Sequence, residues 1–151
     1  MLALAVAVEA RNAERLATFA DMFADYDHDV SALFAEMRDQ ELQHQQTLAA
    51  EYRRRYGHRP CAVDEEDVAE VVEAVDIDDG EAFVFDSLTR RRVLEAILNA
   101  EEDARPLYLE ARSGTDDEGL RELYGRLAAF EDEHVHAVLQ RIRALSREEA
   151  R

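Results

Sequence analysis

The chain has 151 residues, long enough to bury a core without disulfides or a structural metal, so residues 1–151 are read as a single domain. Its 35 acidic residues against 18 basic ones, all of them arginine, give a formal net charge of −17; that field repels phosphate backbones and anionic lipid, which argues against nucleic acid or a membrane surface as partner, and it gathers cations. Cys61 is the only cysteine, which excludes an internal disulfide, a Cys-x-x-Cys pair and a thiolate-rich zinc or iron–sulfur site, and with an apolar opening that lacks a basic leader a cytoplasmic protein is expected.

The periodicity predicts a first helix over residues 2–26, with Leu2, Val6, Ala13, Leu16, Phe19, Ala20 and Phe23 on one face. A polar break at Asp27, His28 and Asp29 follows. Asp29 is the expected N-cap of a second helix that runs to about Tyr56 on a stripe of Leu33, Phe34, Met37, Leu48 and Tyr52, and Gly57 closes it. Residues 58–86 read as a long crossover punctuated by Pro60 and Gly80, with a short acidic helix over 64–75. Ser87 is the expected cap of a third helix whose stripe is Leu94, Ile97, Leu98, Ala104 and Tyr108 and which ends at Ser113-Gly114; Pro106 should kink it. A fourth helix starts near Asp116 and carries Leu120, Leu123, Tyr124, Leu127, Val135, Val138, Leu139, Ile142 and Leu145 on one side. Two helical hairpins joined by one long connection define an all-α four-helix bundle.

Charged residues interrupt each stripe at corresponding places. Glu9 lies seven after Leu2 and seven before Leu16; Glu101 lies seven after Leu94 and seven before Tyr108. Glu41 lies seven after Phe34 and seven before Leu48, with His44 three further on; Glu131 lies seven after Tyr124 and seven before Val138, with His134 three further on. Helical geometry turns all six inward. Converging buried carboxylates stay ionised only beside compensating cations, and two divalent ions balance four carboxylates while the neutral imidazoles add nitrogen ligands. A lone Glu-x-x-His match is weak evidence. Glu133 and His136 supply another one here, which is set aside because Arg126, Ala129, Ala137 and Gln140 mark a solvated face. The signal is the order Glu, then Glu-x-x-His, given twice.

On Glu9, Glu41-Leu42-Gln43-His44, Glu101 and Glu131-Asp132-Glu133-His134, the chain resembles the rubrerythrin branch of the ferritin-like superfamily over almost its whole length. The resemblance implies a ferritin-like four-helix bundle in which Glu41 and Glu131 bridge two metal ions, Glu9 and Glu101 are terminal ligands, and His44 and His134 each bind one ion. It departs from that family at two points. A lone Cys61 cannot build the Cys-rich iron site that usually delivers electrons, and Leu98 stands where an extra carboxylate is usual, so the ligand set is closer to the symmetric centre of bacterioferritin-like proteins.

Carboxylate and imidazole donors without sulfur suit iron, or manganese, as the metal pair. The expected function is that of a di-iron oxidoreductase reacting with hydrogen peroxide or dioxygen, supplied by an external electron donor such as a rubredoxin-like protein or a reductase. The alternatives are a ferroxidase that handles iron and a non-catalytic metal-binding module. Tyr108 and Tyr124, each seven residues from a carboxylate, are candidate catalytic residues lining the metal cavity; their counterparts Leu16 and Phe34 are apolar. Glu102 is the fallback ligand if the third helix rotates at Pro106, Cys61 is read as an inert thiol, and a homodimer is the expected assembly.

Overall fold

Helices account for every regular element in the computed structural model, which describes residues 1–72 and 87–151. The first, α1 (Leu2–Phe23), is rich in Ala and Leu and buries Leu2, Ala5, Val8, Ala13, Leu16, Phe19, Ala20 and Phe23. It ends three residues earlier than its periodicity suggests, because the chain turns at 24–26 and both Tyr26 and Asp27 donate their backbone N–H to the Phe23 carbonyl, at 3.0 and 2.9 Å. Asp27, not Asp29, caps α2 (His28–Tyr56): its extended backbone lets the carboxylate accept from the Val30 N–H at 3.0 Å. Asp29 falls in the first turn instead, where a negative charge still favours the helix dipole. Ser31 donates its hydroxyl to the Ala20 carbonyl at 2.7 Å, closing the turn from the other side.

Helices α1 and α2 pack along their length as one hairpin. Phe34 is fully buried between Phe19 and Phe23, with ring centroids 6.1 and 6.3 Å away in tilted arrangements. Gly57 ends α2 with φ of 76°, a left-handed conformation that costs glycine nothing, and its N–H reaches the Arg53 carbonyl at 2.8 Å. The short acidic helix is α3 (Glu65–Val71), one residue inside its expected start; it buries Val68, packs on α1, and its Glu65 pairs with Arg11.

The second hairpin joins α4 (Ser87–Ser113) to α5 (Glu118–Glu149). Its helix α4 continues through Pro106 as one element. Between the two, Asp117 caps α5 by accepting from the Leu120 N–H at 3.0 Å, and the Arg121 guanidinium holds the Thr115 carbonyl at 2.9 Å. At the other end Arg91 of α4 donates to Ser146 and Glu149 of α5, at 2.9 and 2.7 Å, which fixes the two helices antiparallel. The capping role expected of the Ser87 side chain falls outside the described residues.

The chain separates into two compact units, Met1–Glu73 and Ala74–Arg151, one hairpin in each. No helix among the described residues is long and apolar enough to cross a membrane.

Candidate metal centre

Each long helix buries one seam of residues spaced alternately three and four apart. In α2 the seam is Val30, Phe34, Met37, Glu41, His44 and Leu48. In α5 it runs through Tyr124, Leu127, Glu131, His134, Val138 and Leu145. This is the heptad spacing of helices that pack side by side. The charged residues therefore occupy core positions where apolar side chains would hold the hairpin together more cheaply. Their helices gain nothing locally from them, so helix preference does not account for their presence.

In the N-terminal hairpin, Glu9 of α1 meets Glu41 and His44 of α2. The His44 Nδ1 is 3.3 Å from Glu9 Oε2 and 3.6 Å from Glu41 Oε2. One donor atom from each of the three lies within 4.8 Å of the others, the separation of groups that share a cation. In the C-terminal hairpin, Glu101 of α4 meets Glu131 and His134 of α5. The same criterion holds for these three, and His134 Nδ1 makes a hydrogen bond of 3.0 Å with Glu101 Oε2. All four carboxylates are at most 1 % exposed and the two imidazoles 6 % or less. Water cannot solvate their charge, so the protein or a bound ion must.

The fit to a metal can be tested on Glu101. Its Oε2 meets His134, while its Oε1 is buried with no hydrogen-bond partner among the described residues. A buried carboxylate oxygen left in that state costs on the order of 1–3 kcal/mol, more when charged. A cation at that oxygen removes the penalty. The donors are carboxylate oxygen and imidazole nitrogen with no sulfur among them, a set that could hold a metal ion.

All six residues read from the sequence as ligands are thus inward-facing, and they assemble as two Glu, Glu, His triads. Tyr108 and Tyr124 are buried in the same seams, at 0 and 2 % exposure. The alternatives set aside are at the surface: Glu102, Glu133 and His136 are exposed, and His136 is bonded to the Asp132 carbonyl of its own helix. Asn12 escaped the sequence reading. It is 2 % exposed, one turn beyond Glu9, and accepts a 3.0 Å hydrogen bond from Arg15. Its position four before Leu16 was the available signal, missed because a single Asn in a stripe gives no chemistry by itself.

Among solved structures, the chain is similar to the crystal structure of an uncharacterized conserved protein from Magnetospirillum magnetotacticum MS-1, with a TM-score of 0.73 and 22 % identity over 95 % of this chain and 91 % of that one. The likeness establishes an all-α, ferritin-like helical-bundle fold. A scan of protein-family models and a search of curated proteins return no match.

Proposed function

We propose that the two triads serve one dinuclear iron centre and that the chain is a rubrerythrin-like oxidoreductase, reducing hydrogen peroxide or dioxygen with electrons from an external donor. The observation that carries this reading is the duplication itself: two buried Glu, Glu, His triads at matching seam positions of two hairpins. One triad could be a local accident. Two with the same helix order and spacing, in a fold used for paired metals, point to a common purpose.

In this reading Glu9, Glu41, Glu101 and Glu131 would hold the ions through carboxylate oxygens, and His44 and His134 would add one nitrogen each. Four carboxylates neutralise two divalent ions, so loading removes a charge imbalance that the apo protein must carry. The bound ions would supply redox equivalents and Lewis acidity. The chain's own residues hold each set of donors in a helical seam, beside the buried Leu16, Phe34 and Met37 in one hairpin and Leu127 and Val138 in the other. Tyr108 and Tyr124 offer phenol hydroxyls that can donate a hydrogen bond to a bound oxidant. Manganese is a second metal that the donors accept. The assembly is taken to be a homodimer.

Anaerobic reconstitution followed by metal analysis and stopped-flow absorbance tests the proposal. The full chain should bind about two Fe²⁺ and show an oxidation transient with peroxide or dioxygen. Glu41→Ala with Glu131→Ala should lose most of the metal; unchanged metal content in that variant would sink the dinuclear centre. Tyr108→Phe and Tyr124→Phe should keep the metal and slow the transient. A large particle retaining many irons per chain would favour the ferroxidase alternative, whose supporting observation is the cation-gathering net charge of −17. Two bound ions without a transient would favour the non-catalytic module.

A further inference from the structure

The end of α2 reverses the charge of the rest of the chain. Residues 52–63 contain Arg53, Arg54, Arg55 and Arg59 and no acid, in a protein of net charge −17. Glu51 holds Arg54 at 2.6 Å and Arg55 at 2.5 Å and offsets one charge. Arg53 and Arg59 are exposed and make no ion pair among the described residues.

An ordered aromatic cluster accompanies these charges. The left-handed Gly57 folds the chain back, so that His58 meets Tyr52 edge-on with centroids 5.6 Å apart, while Tyr52 and Tyr56 lie tilted against each other at 4.6 Å. The Tyr52 hydroxyl contacts the Cys61 sulfur at 3.3 Å, and the His58 Nδ1 donates to the Arg59 carbonyl at 2.8 Å. Tyr56 is nevertheless 57 % exposed. Rigid aromatics beside unpaired guanidinium groups are what binding hot spots are made of, because little entropy remains to be lost on contact.

The geometry points to this patch, Arg53, Tyr56, His58 and Arg59, as the docking surface for an acidic electron-carrier protein. This rests on the di-iron reading, which needs an outside reductant and finds no second redox centre among the described residues. The patch stands on the helix that carries Glu41 and His44, and Tyr52 lies about 12 Å along the axis from His44. Charge complementarity selects a compact partner over a nucleic acid. The basic stretch is short, residues 52–63, and acids follow it at Asp64, Glu65 and Glu66, so it suits a compact acidic face better than an extended phosphate backbone.

The test uses the full chain, an oxidised plant-type ferredoxin as the acidic probe, and the variants Arg53→Glu with Arg59→Glu, and Tyr56→Ala. The wild type should bind the probe more weakly as salt rises, and the double charge reversal should weaken binding about tenfold or more, with Tyr56→Ala in between. With iron loaded, reduction by reduced ferredoxin should slow by a similar factor in the charge-reversed protein while reduction by ascorbate is unchanged. Equal binding by wild type and charge-reversed protein overturns the proposal. So does a salt-sensitive self-association lost in the variant, which would assign the patch to a second copy, or tighter binding of a single-stranded RNA than of ferredoxin. Because the binding arm needs no metal, a chain that binds ferredoxin but no iron would refute the di-iron reading and leave the docking surface standing.

Discussion

In the N-terminal hairpin the residues seven after the first glutamate and seven before the second are Leu16 and Phe34; in the C-terminal hairpin they are Tyr108 and Tyr124. All four are buried. The triads differ too, since His134 is closed onto Glu101 at 3.0 Å while His44 stands 3.3 and 3.6 Å from its two carboxylates. A turn beyond the first-helix glutamate, Asn12 occupies one hairpin and Ala104 the other, both buried. The comparison teaches that the spacing of a seam can conserve a set of donor groups while the walls around them vary freely. One hairpin has hydrocarbon side chains at these positions, and the other carries two buried phenol hydroxyls.

The largest test of that difference is in the walls. Phe34→Ala removes the centre of an aromatic cluster and should cost about 3–5 kcal/mol in urea unfolding. Tyr124→Phe keeps the ring and removes one hydroxyl, for a loss of about 1 kcal/mol. If the two losses were equal, Tyr124 would be a packing residue with a polar end as demanding as a whole ring, and the contrast between hairpins would disappear.

A smaller effect separates the helix caps. Asp27 is 8 % exposed and Asp117 lies at the surface, although each accepts one backbone N–H at 3.0 Å. Asp27→Ala should cost about 2 kcal/mol and Asp117→Ala about 0.5 kcal/mol, the two ends of the capping range. Thermal unfolding of both variants under one condition checks the order.

The smallest effect concerns pH and only the first hairpin. Hydrogen bonds from Arg54, opposed by partial burial and assisted by Arg55, hold the Glu51 carboxyl at about 2 against an ordinary 4.5. Because its folded pKa is the lower one, Glu51 contributes stability that is complete above about 4.5 and vanishes as pH falls through about 2. Wild type should exceed Glu51→Gln in urea midpoint near neutrality, and the gap should narrow over that window. A gap independent of pH would mean that the pair is not coupled to folding.

Much of this architecture was legible in the sequence for one reason. Burial in a helix repeats every three or four residues, so Glu9, Glu41, His44, Glu101, Glu131 and His134 declare their facing through Leu16, Phe34, Leu48, Leu94, Tyr108 and Val138. Caps are harder, because Asp27 and Asp29 are chemically equivalent candidates. The choice between them depends on where the turn after Phe23 leaves an extended backbone. Asn12 was hidden for a related reason: its amide is stabilised by Arg15 in three dimensions, and no periodicity reports a hydrogen bond.

The sequence by itself determined the helices, their inward faces and the duplicated donor set, since these follow from spacing along a regular rod. Only tertiary structure decided how closely each imidazole approaches its carboxylates, which Asp caps α2, and that Tyr52, Tyr56, His58 and Cys61 gather around the turn at Gly57. Those outcomes depend on helix rotation and on the direction of a turn, and a shift of an ångström there changes a partner without changing any period.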